Sequence, residues 1–161
     1  MKTILLIGAC GSGKTWVMLE FIKLLSNIKQ GKLNLFRFVI DEQKKIVVLG
    51  VYDNTIFQGS DRLSMAVMKD CDHMKKFQDL NDLFIICEGD RFTNKTFIDK
   101  FNPVIIKILD DGSKGRKKRN SNQTDRQIKA IQSRVNNIKE NYLVNNSTEA
   151  LELLKKLVIN E

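Results

Sequence analysis

The sequence predicts an α/β fold in which helices wrap a largely parallel sheet, and three observations carry that prediction. Short apolar runs of strand length alternate with helical-period segments along the chain. The pattern G-x-x-x-x-G-K-[ST] follows directly on the first of those runs. A second run, Leu83-Phe84-Ile85-Ile86-Cys87, is apolar throughout, as a strand buried on both faces must be, and it ends in Glu88.

Residues 2–7 form the first short strand. Residues 14–28 read as a helix, with Val17, Phe21, Leu24, Leu25 and Ile28 at helical spacing. The runs 34–40 and 45–51 are β-rich, and Asp41-Glu42-Gln43-Lys44 between them has the composition of a hairpin turn. Helical period returns over 61–78 through Leu63, Val67, Cys71, Met74 and Phe77. After the 83–87 strand come a short helix at 94–101 and a strand at 104–109. Pro103, the chain's one proline, sits where a strand tolerates it. Residues 110–123 are polar and basic. The segment 124–141 is helical, with Ile128, Ile131, Val135 and Ile138 on one stripe. A last short strand at 142–144 precedes a helix through 158, with Ser147 as the expected N-cap. With 161 residues, no internal repeat and no linker, one domain over 1–161 is expected, its lid at about 112–123.

No apolar run approaches the ~18 residues of a membrane span, and the N-terminal segment lacks the pattern of a secretory signal. Cys10, Cys71 and Cys87 are odd in number and form no C-x-x-C, and His73 is the single histidine, so the pattern offers no zinc site. Free thiols and a cytoplasmic location are expected. A net charge of +8 favours polyanionic partners, nucleotides or nucleic acid.

Gly8-Ala9-Cys10-Gly11-Ser12-Gly13-Lys14-Thr15 matches the nucleoside-triphosphate loop, or P-loop, in full. Glycines at 8, 11 and 13 let successive amides, with those of Cys10 and Ser12, turn toward a phosphate. The loop runs into a helix N-terminus, whose orphan donors favour negative charge. Lys14 supplies a mobile cation for the β- and γ-phosphates of ATP, and the Thr15 hydroxyl is a ligand for Mg2+. Glu88 and Asp90 stand at the C-terminal edge of an inner strand, where open α/β sheets bind ligands. One of them would hold the metal or orient an acceptor. Asp61 is a candidate base and Arg62 an acceptor-side cation, in competition with plain helix capping. Which of Asp61, Glu88 and Asp90 is the base stays open at this point.

Lys114, Arg116, Lys117, Lys118 and Arg119 crowd one stretch, followed by Arg126, Lys129 and Arg134. Such runs are solvated loops, nucleic-acid patches or lids that fold over a transferring phosphoryl group. Helical geometry puts Arg134 on the flank of the apolar stripe and Arg126 on its far side. Arg119 and Arg134 are therefore the lid cations chosen, with Arg116 beside the nucleotide.

Together these residues resemble nucleoside- and nucleotide-kinase P-loop proteins. Four stretches resemble, more narrowly, the phage P-loop kinases that phosphorylate 5-hydroxymethyluracil in DNA. They are the glycine loop, Gly59-Ser60-Asp61-Arg62-Leu63-Ser64-Met65-Ala66, Glu88-Gly89-Asp90-Arg91-Phe92, and Ser121-Asn122-Gln123 with Arg134. The lid departs from that pattern at Asn120 and at Lys117-Lys118. The resemblance implies a kinase domain of nucleotide-kinase type, using ATP and Mg2+ and taking DNA with a modified pyrimidine as partner. The same ATP site would serve a kinase of free nucleosides or nucleoside monophosphates, or a non-catalytic nucleotide-binding module. A base inside a duplex must also be exposed, and Tyr52, Phe57 and Phe92 are the aromatic candidates for a wedge, though such residues more often belong to a core or pocket wall.

Overall fold

The computed structural model describes residues 2–55, 58–118 and 122–159. Its centre is a seven-stranded sheet of order β2-β3-β4-β5-β1-β6-β7. The strands are β1 (Thr3–Gly8), β2 (Ile28–Leu33), β3 (Phe36–Asp41), β4 (Ile46–Leu49), β5 (Phe84–Glu88), β6 (Val104–Ile108) and β7 (Tyr142–Val144). From β4 to β7 every neighbouring pair is parallel, while β2 and β3 add an antiparallel hairpin at one edge. The expected α/β class with a mostly parallel sheet is thus present.

The inner strands alternate their side chains between two apolar layers, as a pleat requires. Leu5, Ile7, Ile85, Cys87 and Ile105 face one layer; Ile4, Leu6, Ile86, Ile106 and Ile108 face the other. Helices α2 (Cys71–Asn81), α3 (Lys95–Phe101) and α5 (Asp125–Asn136) cover the first layer through Met74, Phe97, Phe101 and Val135. Helices α1 (Lys14–Ile22) and α6 (Ser147–Val158) cover the second through Val17, Met18, Phe21, Ala150 and Leu154. The six-residue α4 (Ser113–Lys118) buries none of its residues. Among the described residues no helix is long and apolar enough to cross a membrane. Cys10, Cys71 and Cys87 are free thiols.

Several boundaries differ from those expected; the helix expected over 124–141, for one, ends at Asn136. The first helix stops at Ile22, and Ile28 begins β2. That edge strand is mostly exposed, so it lacks the apolar alternation that announces a strand; pairing with β3 makes it one. Gly31 is required there, because a Cβ would lie 2.1 Å from the Phe38 ring. The 61–78 helix is instead two 3-10 turns, Ser60–Arg62 and Val67–Asp70, followed by α2. Arg91 Nη1 donates to the Leu63 carbonyl at 2.7 Å, a tertiary bond that holds this segment out of the helix. Leu63, Val67, Cys71 and Met74 remain buried, so their apolar period is real while the backbone between them is not helical. Finally, Asn146 rather than Ser147 caps α6, its side chain accepting from the Glu149 amide. Tyr52 and Phe92 are buried, which removes both as wedges, and Phe57 lies outside the described residues.

Phe97 stacks on Phe101 at 4.4 Å and meets Phe92 at 4.8 Å, fully inside the first layer. Phe97→Ala is expected to lower stability by about 3–5 kcal/mol. Urea unfolding of the two proteins checks this, and a loss below about 1 kcal/mol would mean that the cluster collapses around the gap.

Candidate active site

All five parallel strands end at one edge of the sheet. β1 lies between β5 and β6, where the crossovers diverge to opposite sides, and such a switch point opens a crevice at the strand ends. Gly8 ends β1, and the turn that follows delivers the chain to α1, with Gly13 as its N-cap in a left-handed conformation. Helix α1 begins with no side-chain cap and no carboxylate in its first turn. By contrast α3, α5 and α6 are capped by Asn94, Thr124 and Asn146. The positive end of α1 and its first N–H groups therefore face the loop rather than a protein side chain. Lys14 folds back over the turn, its Nζ donating to the carbonyls of Gly8 at 3.0 Å and Ala9 at 2.8 Å. Ser12 is buried, and its Oγ has no hydrogen-bond partner among the described residues. An uncapped helix start, a tethered ammonium and an orphan hydroxyl around one turn fit a phosphate chain.

Beside the loop, the Thr15 hydroxyl donates to Glu88 Oε1 at 2.9 Å. Glu88 is only 3% exposed, and that burial pushes its carboxyl above the ordinary value. The Lys14 charge, the Thr15 bond and the Ser60 amide pull it back down, whereas Asp61 nearby pushes it up. The loop carrying Asp61 approaches closely at Gly59, where a Cβ would lie 2.3 Å from Glu88 Oε1. Thr15 and Glu88 are hard oxygen donors side by side, which suits Mg2+: that ion takes one or two protein ligands and completes its shell with phosphate and water.

Asp61 itself is exposed, and its carboxylate makes no hydrogen bond among the described residues. Arg91 fixes its backbone, with Nη2 donating to the Asp61 carbonyl at 3.4 Å. Arg62 turns to the preceding segment, donating to Asp53 and, at 3.1 Å, to Thr55 Oγ1. The Thr55 and Arg62 bonds hold the Asp53 carboxyl below its ordinary value. Asp90 is engaged by Arg134, whose Nη2 and Nε donate to one carboxylate oxygen at 2.5 and 3.1 Å. That pair ties α5 to the end of β5. Arg119 lies outside the described residues.

The basic stretch also docks on the glycine loop, through contacts the sequence reading missed. Arg116 donates from Nη1 to the carbonyls of Cys10 and Asp111, both at 2.7 Å. A Cβ on Gly112 would lie 1.9 Å from the Cys10 carbonyl oxygen, and one on Gly115 2.1 Å from that of Gly11. Only hydrogen on those two Cα atoms lets α4 sit this close. The spacing of Gly112, Gly115 and Arg116, one turn of a helix apart, was the available signal.

Compared with protein-family models, curated proteins and solved structures, the chain matches none. A groove of about 1060 Å3 lined by Leu24, Lys44, Lys155 and Ile159 lies between the far ends of α1 and α6, and none of the expected site residues lines it. The chemistry is concentrated at the strand ends, in an open edge rather than an enclosed cavity.

Burial raises the Glu88 pKa in the folded chain above its ordinary 4.5, so folding is penalised once the carboxyl ionises. Below that value both folded and unfolded chains hold the proton and the penalty vanishes; it grows as pH rises through the folded-state pKa. Glu88→Gln keeps an acceptor for Thr15 and carries no charge. It is expected to be more stable than the parent near neutral pH, with the gap closing as pH falls toward about 4. Urea midpoints over a pH series measure this, and a gap independent of pH refutes it.

Proposed function

We propose that this chain is an ATP-dependent kinase of the P-loop class whose acceptor is a hydroxyl on nucleic acid, the hydroxymethyl group of 5-hydroxymethyluracil in DNA. The donor half of this reading is supported by the glycine loop, the uncapped start of α1 and the Thr15–Glu88 pair. The acceptor half is supported by where the charge lies. Of 27 basic and 19 acidic residues, nine and one fall within 112–139, which leaves eighteen of each elsewhere. The whole net charge of +8 therefore belongs to the segment that docks on the glycine loop at one end and on Asp90 at the other. A free nucleotide carries few charges and needs no such concentration; a polyanionic strand running past the site is attracted by it.

In this mechanism Lys14 and the amides of Gly11, Gly13 and the first turn of α1 bind the triphosphate, with Arg116 alongside. Thr15 and Glu88 would hold Mg2+, which when bound neutralises charge on the β- and γ-phosphates. Asp61 serves as base because it is exposed and its carboxylate makes no hydrogen bond among the described residues, whereas Glu88 is committed to Thr15 and Asp90 to Arg134. The acceptor oxygen bonds to the γ-phosphorus, the bond from that phosphorus to the bridging oxygen breaks, and Asp61 takes the hydroxyl proton. ADP is the leaving group. Arg134 stabilises the charge that spreads over the transferring group.

Transfer of label from γ-³²P-ATP tests both halves. Hydroxymethyluracil-containing DNA is expected to be labelled, and Lys14→Ala to abolish labelling. Asp61→Asn should slow labelling about 10²–10⁴-fold while ATP still changes the fluorescence of Trp16, the one tryptophan, beside Thr15. Labelling of free nucleotides but not of DNA would replace the acceptor. Hydrolysis with no transfer to any acceptor would return the chain to the class of nucleotide-binding modules.

A further inference from the structure

Seven of the nine basic residues of the 112–139 segment fall into two sets; Arg119 lies outside the described residues, and Lys139 follows the end of α5. Arg116 and Arg134 point at the site and have protein partners there. Lys114, Lys117, Lys118, Arg126 and Lys129 are exposed, and among the described residues none lies within 4 Å of a carboxylate; Lys114 lends its charge to the nearby Asp111 carboxylate. Elsewhere the chain behaves differently. Ten of the eighteen basic residues outside the segment form such ion pairs.

Helical geometry separates the sets. At roughly 100° per residue, Gly115 and Arg116 share the face of α4 that meets the glycine loop, and Gly112, just before the helix, meets it too. Lys114, Lys117 and Lys118 share the opposite one. On α5, Ile131 and Val135 pack into the core, as does Ile138 just beyond the helix, and Arg126 and Lys129 project from the far side. The sequence reading set Arg126 aside because it points away from the site. That same direction aligns it with Lys129, on the outer side of a segment docked on the site at both ends.

We propose that Lys114, Lys117, Lys118, Arg126 and Lys129 form a phosphate-backbone track that holds a nucleic-acid strand against the outside of the lid. The inference rests on the nucleic-acid reading of the acceptor, and gives that reading a binding surface distinct from the phosphoryl-transfer residues. The track binds by charge and carries no base contacts, so it fixes where the strand runs while the site selects the hydroxyl. It acts on KM for the polymeric acceptor and leaves turnover and ATP binding alone.

The test is anisotropy of a labelled single-stranded oligonucleotide, titrated with the full chain over a range of salt. Single strands lose affinity with a log–log slope of about −0.7 per neutralised phosphate, so five contacts predict a slope of about −3.5. Lys117→Ala with Lys118→Ala is expected to flatten it by about 1.4, and alanine at all five positions to remove most of it. ATP binding, read from Trp16 fluorescence, is expected to stay unchanged in every variant, which also reports that the variants are folded. In the labelling assay the five-site variant is expected to raise KM for DNA at unchanged kcat. If the parent binds and labels DNA while the five-site variant keeps its salt slope and KM, the track is overturned and the DNA-kinase reading stands. If the parent neither binds the oligonucleotide nor labels DNA, yet labels free nucleotides, both fall together.

Discussion

Burying a carboxylate at the end of an inner strand opposes folding, and the neighbourhood of Glu88 is arranged around offsetting that cost. The Thr15 hydroxyl donates to it, the Ser60 amide faces it, and Lys14 lies close enough for its charge to act. Those groups come from two places: the start of α1, where the glycine loop ends, and the loop after β4. One buried charge therefore draws the β1–α1 turn, the end of β5 and the Asp61 loop into a single cluster. Gly59 has no side chain because the Glu88 oxygen occupies the space where its Cβ would be. Change the carboxylate and the reason for each of these placements goes with it.

Chain topology determines what that cluster can meet. Since β1 sits between β5 and β6, the loops that follow all three strands open on the same edge. The loop after β6 contributes the close approach of Gly112 and Gly115 to the glycine loop. Further on, Arg134 crosses to Asp90. A segment carrying all of the chain's net charge is thus pinned at two points beside a buried acid. Electrostatics alone would push such a segment away from its own kind and out into solvent; short-range packing without Cβ atoms and one ion pair keep it at the site.

Much of this was legible in the sequence, and what was hidden follows a physical pattern. The inner strands announced themselves because burial on both faces leaves only apolar residues, as in 83–87. The glycine loop was plain because its residues match a pattern of fixed spacing in full. The edge strand β2 was not, since an exposed strand is specified by pairing with β3 rather than by its own side chains. Residues 61–78 misled for the opposite reason: buried apolar residues recur every three or four positions, but Arg91 arrives from 28 residues along the chain to hold the Leu63 carbonyl. The partners of Arg62 and Arg134 were equally out of reach. Sequence named both arginines, and only the folded chain shows that one turns to Asp53 and the other to Asp90.

The pairing of Arg134 also sets how tightly that cation is held. The Arg134–Asp90 pair is partly exposed, with 52% and 24% of the two side chains open to solvent. Pairs of that kind contribute only about 0–1 kcal/mol, because water screens them and two side chains must be held still. A pair so weakly held can be broken at little cost by an anion of fuller charge. Arg116 differs, since its partners are backbone carbonyls of Cys10 and Asp111, which hold the guanidinium against the loop without neutralising it. One arginine is thus lightly latched and the other is built into the wall. The outward-facing lysines of the same segment form no ion pair within 4 Å among the described residues, so their charge stays open to solvent.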